Sequence, residues 1–259
     1  MIRKVLSSLE YRWKIAQFGI YHLGSSSFDL SKLHIGPTHI APSFPEGEEE
    51  VLRHELHDIL FNDCYSLKTF ANNATIDSVL DIGANIGLFS MAARHHFPNA
   101  SIHAYEPNFH LESFLNAHLE PLDVTYFMEG VGDQDGSIML SFGNKSLYST
   151  TSATPETSDD TAVVAQTSFR SALDRMGGTA DLVKLDCEGA EWEIFEDAAS
   201  WEVVQHLTME YHLWARENST FDDLLRLIEG LGFQCWNYVP SPTGRWGLLQ
   251  ASKEHPSSM

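Results

Sequence analysis

Basic residues are scarce in this chain: Lys and Arg number 16 against 36 Asp and Glu, a formal charge of −20 over 259 residues. Such a balance argues against a nucleic-acid partner, because contacts to phosphate supply much of that affinity. It equally disfavours adhesion to anionic lipid surfaces. Long apolar runs are missing too, and nothing approaches the roughly 18 consecutive apolar residues of a membrane span. Cysteine is sparse. Cys64, Cys187 and Cys235 form an odd, widely spaced set with no CxxC pair. They fit a reducing compartment, the cytoplasm, better than a disulfide framework or a zinc site. Near the start, Glu10, Arg12 and Lys14 break up any apolar stretch, so a secretory leader is not expected. The sequons at Asn73, Asn144 and Asn218 then carry little weight. Hydrophobic residues are plentiful at 43%, with 20% charged, so the chain can bury a real core.

The pattern divides the chain in two. Residues 1–76 read as a helical extension or cap. Ile2, Val5, Leu6, Leu9, Trp13 and Ala16 recur at helical spacing and are expected to pack on the domain itself. Residues 24–47, punctuated by Gly24, Pro37, Pro42, Pro45 and Gly47, read as loop with short elements. EEEVLRHELHDILFN reads as a helix whose acidic start suits the macrodipole and whose buried stripe is Val51, Leu52, Leu56, Ile59 and Leu60. HELH within it is not the zincin HExxH, since its histidines are three apart. From residue 77 to 259, short apolar runs alternate with helical segments. SVLDIGA, SIHAYEP, VTYFMEGV, DLVKLDCE and HLTMEYH read as strands, and FQCWNYV with RWGLLQAS as a closing antiparallel hairpin. This alternation predicts an α/β domain with a mostly parallel sheet covered by helices on both faces. The Ser/Thr-rich stretch SLYSTTSATPETSDDT is expected to be an exposed loop.

The most informative segment is VLDIGANIGLFS: an apolar strand ending at Asp81, a turn with Gly83, Asn85 and Gly87, then a helix. Such a turn sits where open α/β sheets bind ligands, at the carboxyl end of the first strand. The dinucleotide fingerprint GxGxxG has its last glycine five residues after its first. Here Gly83 and Gly87 are four apart and Asn85 stands between them. Asp81 is expected to present negative charge to the site, which would repel a pyrophosphate and attract an ammonium and a sulfonium. S-adenosylmethionine therefore fits better than NAD, although an NAD(P)-dependent oxidoreductase remains the alternative, as does a domain that binds the cofactor without turnover. The second strand ends at Glu106, 19 residues past Gly87, where a carboxylate accepts hydrogen bonds from ribose hydroxyls.

The fourth strand delivers Asp186, Glu188 and Glu191 around Gly189, and the fifth ends with Glu210 and His212 on one face. Glu191 reads as helix-start charge, whereas Asp186 at a buried strand end needs a partner or ligand. His212, with an ordinary histidine pKa near neutrality, is the candidate general base, with Asp186 as the other and Glu188 orienting the acceptor. No metal is expected; Mg²⁺ held by Asp186 and Glu210 is the minority variant.

VLDIGANIGLFS, AYEPN, EGVGDQDGSI and above all VKLDCEGAEWEIF followed by MEYH together resemble the FkbM family of S-adenosylmethionine-dependent methyltransferases, over roughly residues 78–239. The resemblance implies a class I, Rossmann-like methyltransferase sheet of seven strands and methylation of a hydroxyl on a sugar, glycan or secondary-metabolite scaffold. Position by position it implies that Asp81, Gly83, Asn85 and Gly87 hold the methionine moiety. Glu106 would bind ribose with Asn108 nearby, and the segment from Glu129 would border adenine. Asp186, Glu188 and His212 would lie nearest the transferred methyl.

Overall fold

The computed structural model describes residues 10–20, 29–142, 149–151 and 161–254, with 149–151 described by backbone alone. Two short strands, β1 (His34–Ile35) and β2 (Thr38–His39), form a hairpin in the N-terminal region. The strands that follow are β3 (Ser78–Ile82), β4 (Ser101–Tyr105), β5 (Thr125–Phe127), β6 (Gly130–Gly132), β7 (Gly136–Phe142), β8 (Ser149–Thr151), β9 (Thr161–Ser168), β10 (Ala180–Leu185), β11 (Val204–His212), β12 (Gln234–Pro240) and β13 (Trp246–Ser252).

Seven of them make the main sheet in the order β12-β13-β11-β10-β3-β4-β5, with β13 alone antiparallel to its neighbours. The expected parallel sheet and its closing hairpin are thus present. The chain runs outward from β3 through β4 to β5, then returns to lay β10 on the other side of β3. That reversal puts the topological switch point at the carboxyl ends of β3 and β10, where such sheets bind ligands.

VTYFMEGV departs from expectation. It is not one strand but two: β5 closes the main sheet, and β6 crosses into a separate four-stranded sheet of order β6-β9-β7-β8. AEWEIFEDAASW, whose periodicity suits a single helix, forms two short ones, Glu191–Ile194 and Ala198–Trp201, with Asp197 accepting from the Ser200 amide at the start of the second. Phe221–Gly230 is a full helix because Thr220 and Asp223 close a reciprocal capping box at its start. Most of the Ser/Thr-rich stretch lies outside the described residues, as do residues 1–9 of the expected first helix; of that stretch β8, paired antiparallel to β7, and Thr161, which opens β9, are described.

Side chains of β3 alternate between two apolar layers. Val79 packs in a cluster with the helix Leu88–His96 and with Leu52, Leu56, Phe61 and Phe70 of the N-terminal region. Leu80 and Ile82 join Phe169, Trp201, Ile228 and the inner face of β10 and β11 on the other side. The N-terminal residues therefore share a core with the sheet. Ile15 and Phe18 are buried there, but Trp13 is 60% exposed and Val51 is 40% exposed, so neither belongs to the buried stripe expected of it. Trp13 is instead covered by the Lys68 ammonium, 5.7 Å from its ring. The helix from Glu49 to Leu56 continues as a π-turn, His57–Phe61, and His54 and His57 bind nothing in common. No described helix is long and apolar enough to cross a membrane, and the three cysteines are free thiols.

Candidate active site

A cavity of about 1020 Å³ opens at the switch point. Small-molecule pockets run to roughly 300–1,000 Å³, so there is room for two ligands. Its two ends differ in chemistry.

At one end stands the turn after β3. Gly83 has φ +79°, and a Cβ built on it would lie 1.8 Å from the carbonyl oxygen of Asp186. Only glycine lets the ends of β3 and β10 come that close. Asn85 also adopts a left-handed conformation, φ 51°. The Glu106 carboxylate, 7% exposed, accepts from the Asn85 amide at 2.8 Å and the Asn108 amide at 2.9 Å. Burial nevertheless pushes its pKa up to about 6. Asn85 lines the cavity with a buried Oδ1 that has no hydrogen-bond partner, an acceptor left open for a ligand's donor. The apolar wall beyond is built by Val131 and Ile138 with the backbone of Gly130 and Gly132.

Several residues expected at the ligand lie behind the cavity wall. Asp81 is fully buried and does not line the cavity. Its Oδ2 accepts from Ser90 Oγ at 2.6 Å, and its Oδ1 lies 3.2 Å from Lys184 Nζ. The carboxylate is neutralised by that ammonium, so it does not present bare charge to the ligand. Gly87 starts the helix Leu88–His96 and packs on Leu119 rather than the cavity. Asn108 caps the turn Phe109–Leu111 with its side chain, and its backbone amide holds Glu106. Glu129 is engaged by Arg175 at 2.8 Å, outside the cavity; from that segment the backbone of Gly130–Gly132 borders it.

The other end is acidic. Asp186, Glu188 and His212 all line it, as expected, together with Glu210, and with Glu55, Asp58 and Tyr65 from the N-terminal region. Asp186 Oδ2 accepts from the Tyr65 hydroxyl at 2.9 Å and stands 3.7 Å from Lys184 Nζ. Glu188 sits on a left-handed backbone, φ 51°, a conformation that costs a non-glycine residue energy and aims its carboxyl at the cavity. Burial first, then Asp186, Glu210 and Glu191, raise its pKa to about 7 against the pull of His212. Glu55 is raised to about 7 by burial and by Asp186 and Glu210. Trp214, Val239 and Trp246, all exposed, frame the mouth.

His212 is gripped by carboxylates on both ring nitrogens. Its side chain is 4% exposed, and Nδ1 lies 2.9 Å from Glu191 Oε1, with Nε2 3.5 Å from Glu210. Burial opposes its charge, but these carboxylates outweigh it and push the pKa up to about 11. Glu191 explains this: it does start a short helix, yet it is 1% exposed and spends its carboxylate on His212 and the Cys187 amide.

Sequence reasoning missed Lys184, Tyr65 and Glu55. Lys184 carried a signal, being the one charge in an apolar strand. It faces Asp81 in register across β10 and β3, and its ammonium also donates to the carbonyls of Ile82 and Gly83. Tyr65 and Glu55 carried none, because they reach the site from a segment distant in sequence.

A family model described as the methyltransferase FkbM domain matches residues 81–235, well over half of the chain. The chain belongs to the FkbM methyltransferase family. It is a methyltransferase, and its methyl donor is S-adenosylmethionine. It is 25% identical over 201 residues to "Methyltransferase 1" of Beauveria bassiana (strain ARSEF 2860), covering 68% of this chain and 78% of that relative. It is 26% identical over 195 residues to "Methyltransferase sdnD" of Sordaria araneosa, covering 59% and 72% respectively. Among solved structures, magnesium protoporphyrin IX methyltransferase (ChlM) from Synechocystis PCC 6803 aligns at 10% identity over 82% of this chain and 86% of that one, with a TM-score of 0.46. The family assignment settles the choice against a nicotinamide-dependent oxidoreductase, in line with the four-residue glycine spacing.

Proposed function

We propose that the enzyme methylates a hydroxyl oxygen of a sugar, glycan or secondary-metabolite acceptor. The bound donor supplies a methyl on a positively charged sulfur, a leaving group that needs no acid. The chain then has two tasks: to align donor and acceptor, and to remove one proton from the alcohol. Alignment supplies several kcal/mol of the barrier.

In this reading the turn Gly83–Asn85 and Glu106 hold the donor. The open Asn85 Oδ1 and the free lone pairs of the Glu106 carboxylate suit its ammonium and ribose hydroxyls. Asp81 and Gly87 act behind that turn, and Asn108 behind Glu106. At the far end Glu188 takes the proton, Asp186 orients the acceptor hydroxyl while Tyr65 and Lys184 fix it, and His212 is held by Glu191 and Glu210. The single observation that supports an oxygen acceptor best is Glu188, a carboxyl pushed up to about 7 and aimed into the cavity beside a histidine whose own pKa is raised by its carboxylate partners. A positioned base of this kind is worth about 10²–10⁴-fold.

Residues 1–76 act as the acceptor-recognising cap on a methyltransferase domain from residue 77, since Glu55, Asp58, Ile59 and Tyr65 belong to the acidic end. The rim of Trp214, Val239 and Trp246 suits a sugar face or an apolar scaffold carrying the hydroxyl. The free thiols are consistent with a cytoplasmic enzyme. The test is a methyl-transfer screen over sugars, glycolipids and polyketide alcohols with detection of adenosylhomocysteine. Product methylated at oxygen supports the reading; product methylated only at nitrogen or carbon overturns it.

A further inference from the structure

We propose that Asp186, Glu210 and His212 form a divalent-cation site at the carboxyl edge of β10 and β11, where the cation holds and acidifies the acceptor hydroxyl. The role rests on the acceptor reading above; the site itself does not.

Each of the three offers one ligand atom, and these atoms lie within 4.8 Å of one another. Two ligands on opposite sides of one ion stand about 4.2 Å apart for Mg²⁺ and about 5 Å for Ca²⁺, so the three fit one ion with little movement. The histidine is built for the task. Its side chain is 4% exposed, its Nδ1 is 2.9 Å from Glu191 Oε1, and Glu191 is 1% exposed. A buried carboxylate on the far nitrogen of the ring is the arrangement that orients metal-ligating histidines. It leaves Nε2 turned to the cavity, 3.5 Å from Glu210 and 3.9 Å from Glu188. Both distances are longer than the roughly 2.7–3.2 Å of a short N–H···O bond, so the nitrogen and the two carboxylates converge on one space without closing tightly on one another.

Charge points the same way. Glu55, Asp58, Asp186, Glu188 and Glu210 share this end, and Lys184 is the one lysine or arginine on the cavity wall among the described residues. Lys184 is already spent on Asp81 and on the carbonyls of Ile82 and Gly83. The cation takes the place of the proton that the surrounding carboxylates hold on His212, so uptake releases a proton; two carboxylates with one neutral imidazole favour Mn²⁺ or Mg²⁺ over the softer, thiolate-seeking metals. With a cation there, the acceptor oxygen binds the metal and gives its proton to Glu188. The new C–O bond forms as the C–S bond breaks, and the electron pair leaves on neutral sulfur.

The test titrates Mn²⁺ into the chelator-treated, full-length protein, following free Mn²⁺ by electron paramagnetic resonance and the melting temperature in parallel. Adenosylhomocysteine binding is measured on the same samples. The expected result is one Mn²⁺ per chain with a raised melting temperature, abolished in the D186N/E210Q double variant and weakened about 10–100-fold in E191Q, whose carboxylate orients His212 and also holds the Cys187 amide. No Mn²⁺ uptake by protein that still binds adenosylhomocysteine overturns the site and leaves the donor end intact. Uptake unchanged in D186N/E210Q also overturns it, because the ion is then held by other carboxylates of this acidic chain. Loss of adenosylhomocysteine binding in the untreated protein is a different failure, that of the cavity as a methyltransferase site.

Discussion

The two ends of the cavity are built on opposite principles. At the donor end, charge is settled before any ligand arrives: Lys184 neutralises Asp81, and two backbone amides hold Glu106. At the acceptor end, Glu55, Asp186, Glu188 and Glu210 crowd together against Lys184 and His212 alone. The contrast teaches that the donor end is framework whose charges are already paired or held by amides, with Asn85 Oδ1 left open for the ligand, while the acceptor end stores unfavourable charge that a bound molecule or ion relieves.

Substitutions at the framework should do the most damage. Gly83→Ala places a methyl against the Asp186 carbonyl and a side chain on φ +79°. We expect loss of more than about 4 kcal/mol, read as failure to recover folded protein or a collapse of the urea midpoint. A G83A protein of normal stability would remove the close approach of β3 and β10 from the account. Lys184→Met leaves Asp81 as an uncompensated buried charge, which costs about 3–5 kcal/mol, measured by the same denaturation curve. At the acceptor end, by contrast, Glu188→Gln should leave the fold alone and lower turnover by about 10²–10⁴-fold in single-turnover assays.

That division matches what could be read from the chain. The turn after β3 was legible because glycine and asparagine at Gly83, Asn85 and Gly87 announce positive φ, and all three adopt it. Asp186, Glu188 and His212 were legible as one cluster because strand alternation and the sheet's carboxyl edge place them. What failed was pairing across distance. The Asp81–Lys184 ion pair, the Tyr65 hydroxyl on Asp186 and the Glu191 grip on His212 join residues that local pattern cannot connect. Hence Asp81 read as a ligand and His212 as a base. The split of VTYFMEGV failed for a related reason: only the second sheet gives β6 a partner, and that partner is β9.

A smaller effect sharpens the comparison further. Glu55 and Glu188, both raised from 4.5 to about 7, cost stability when deprotonated; the cost is absent below about pH 4.5 and complete above about pH 7. His212, raised from 6.5 to about 11, stabilises fully below pH 6.5 and loses that contribution as pH climbs toward 11. His96, lowered from 6.5 to about 4 by burial, works the other way, but only below pH 6.5. Between pH 6.5 and 8.5 the metal-free protein should therefore melt at progressively lower temperature. Glu55→Gln should raise its stability at pH 8.5, on the order of 1 kcal/mol after solvent screening, and change nothing at pH 4.

The two-ended cavity is tested most directly by calorimetric titration of adenosylhomocysteine into wild-type, Glu106→Ala and Glu188→Gln proteins, each checked for folding. The account predicts one site per chain in the wild type, loss of affinity in E106A, and wild-type affinity in E188Q. An E188Q protein that loses the ligand as E106A does, or an E106A protein that keeps it, would contradict the separation of donor and acceptor ends.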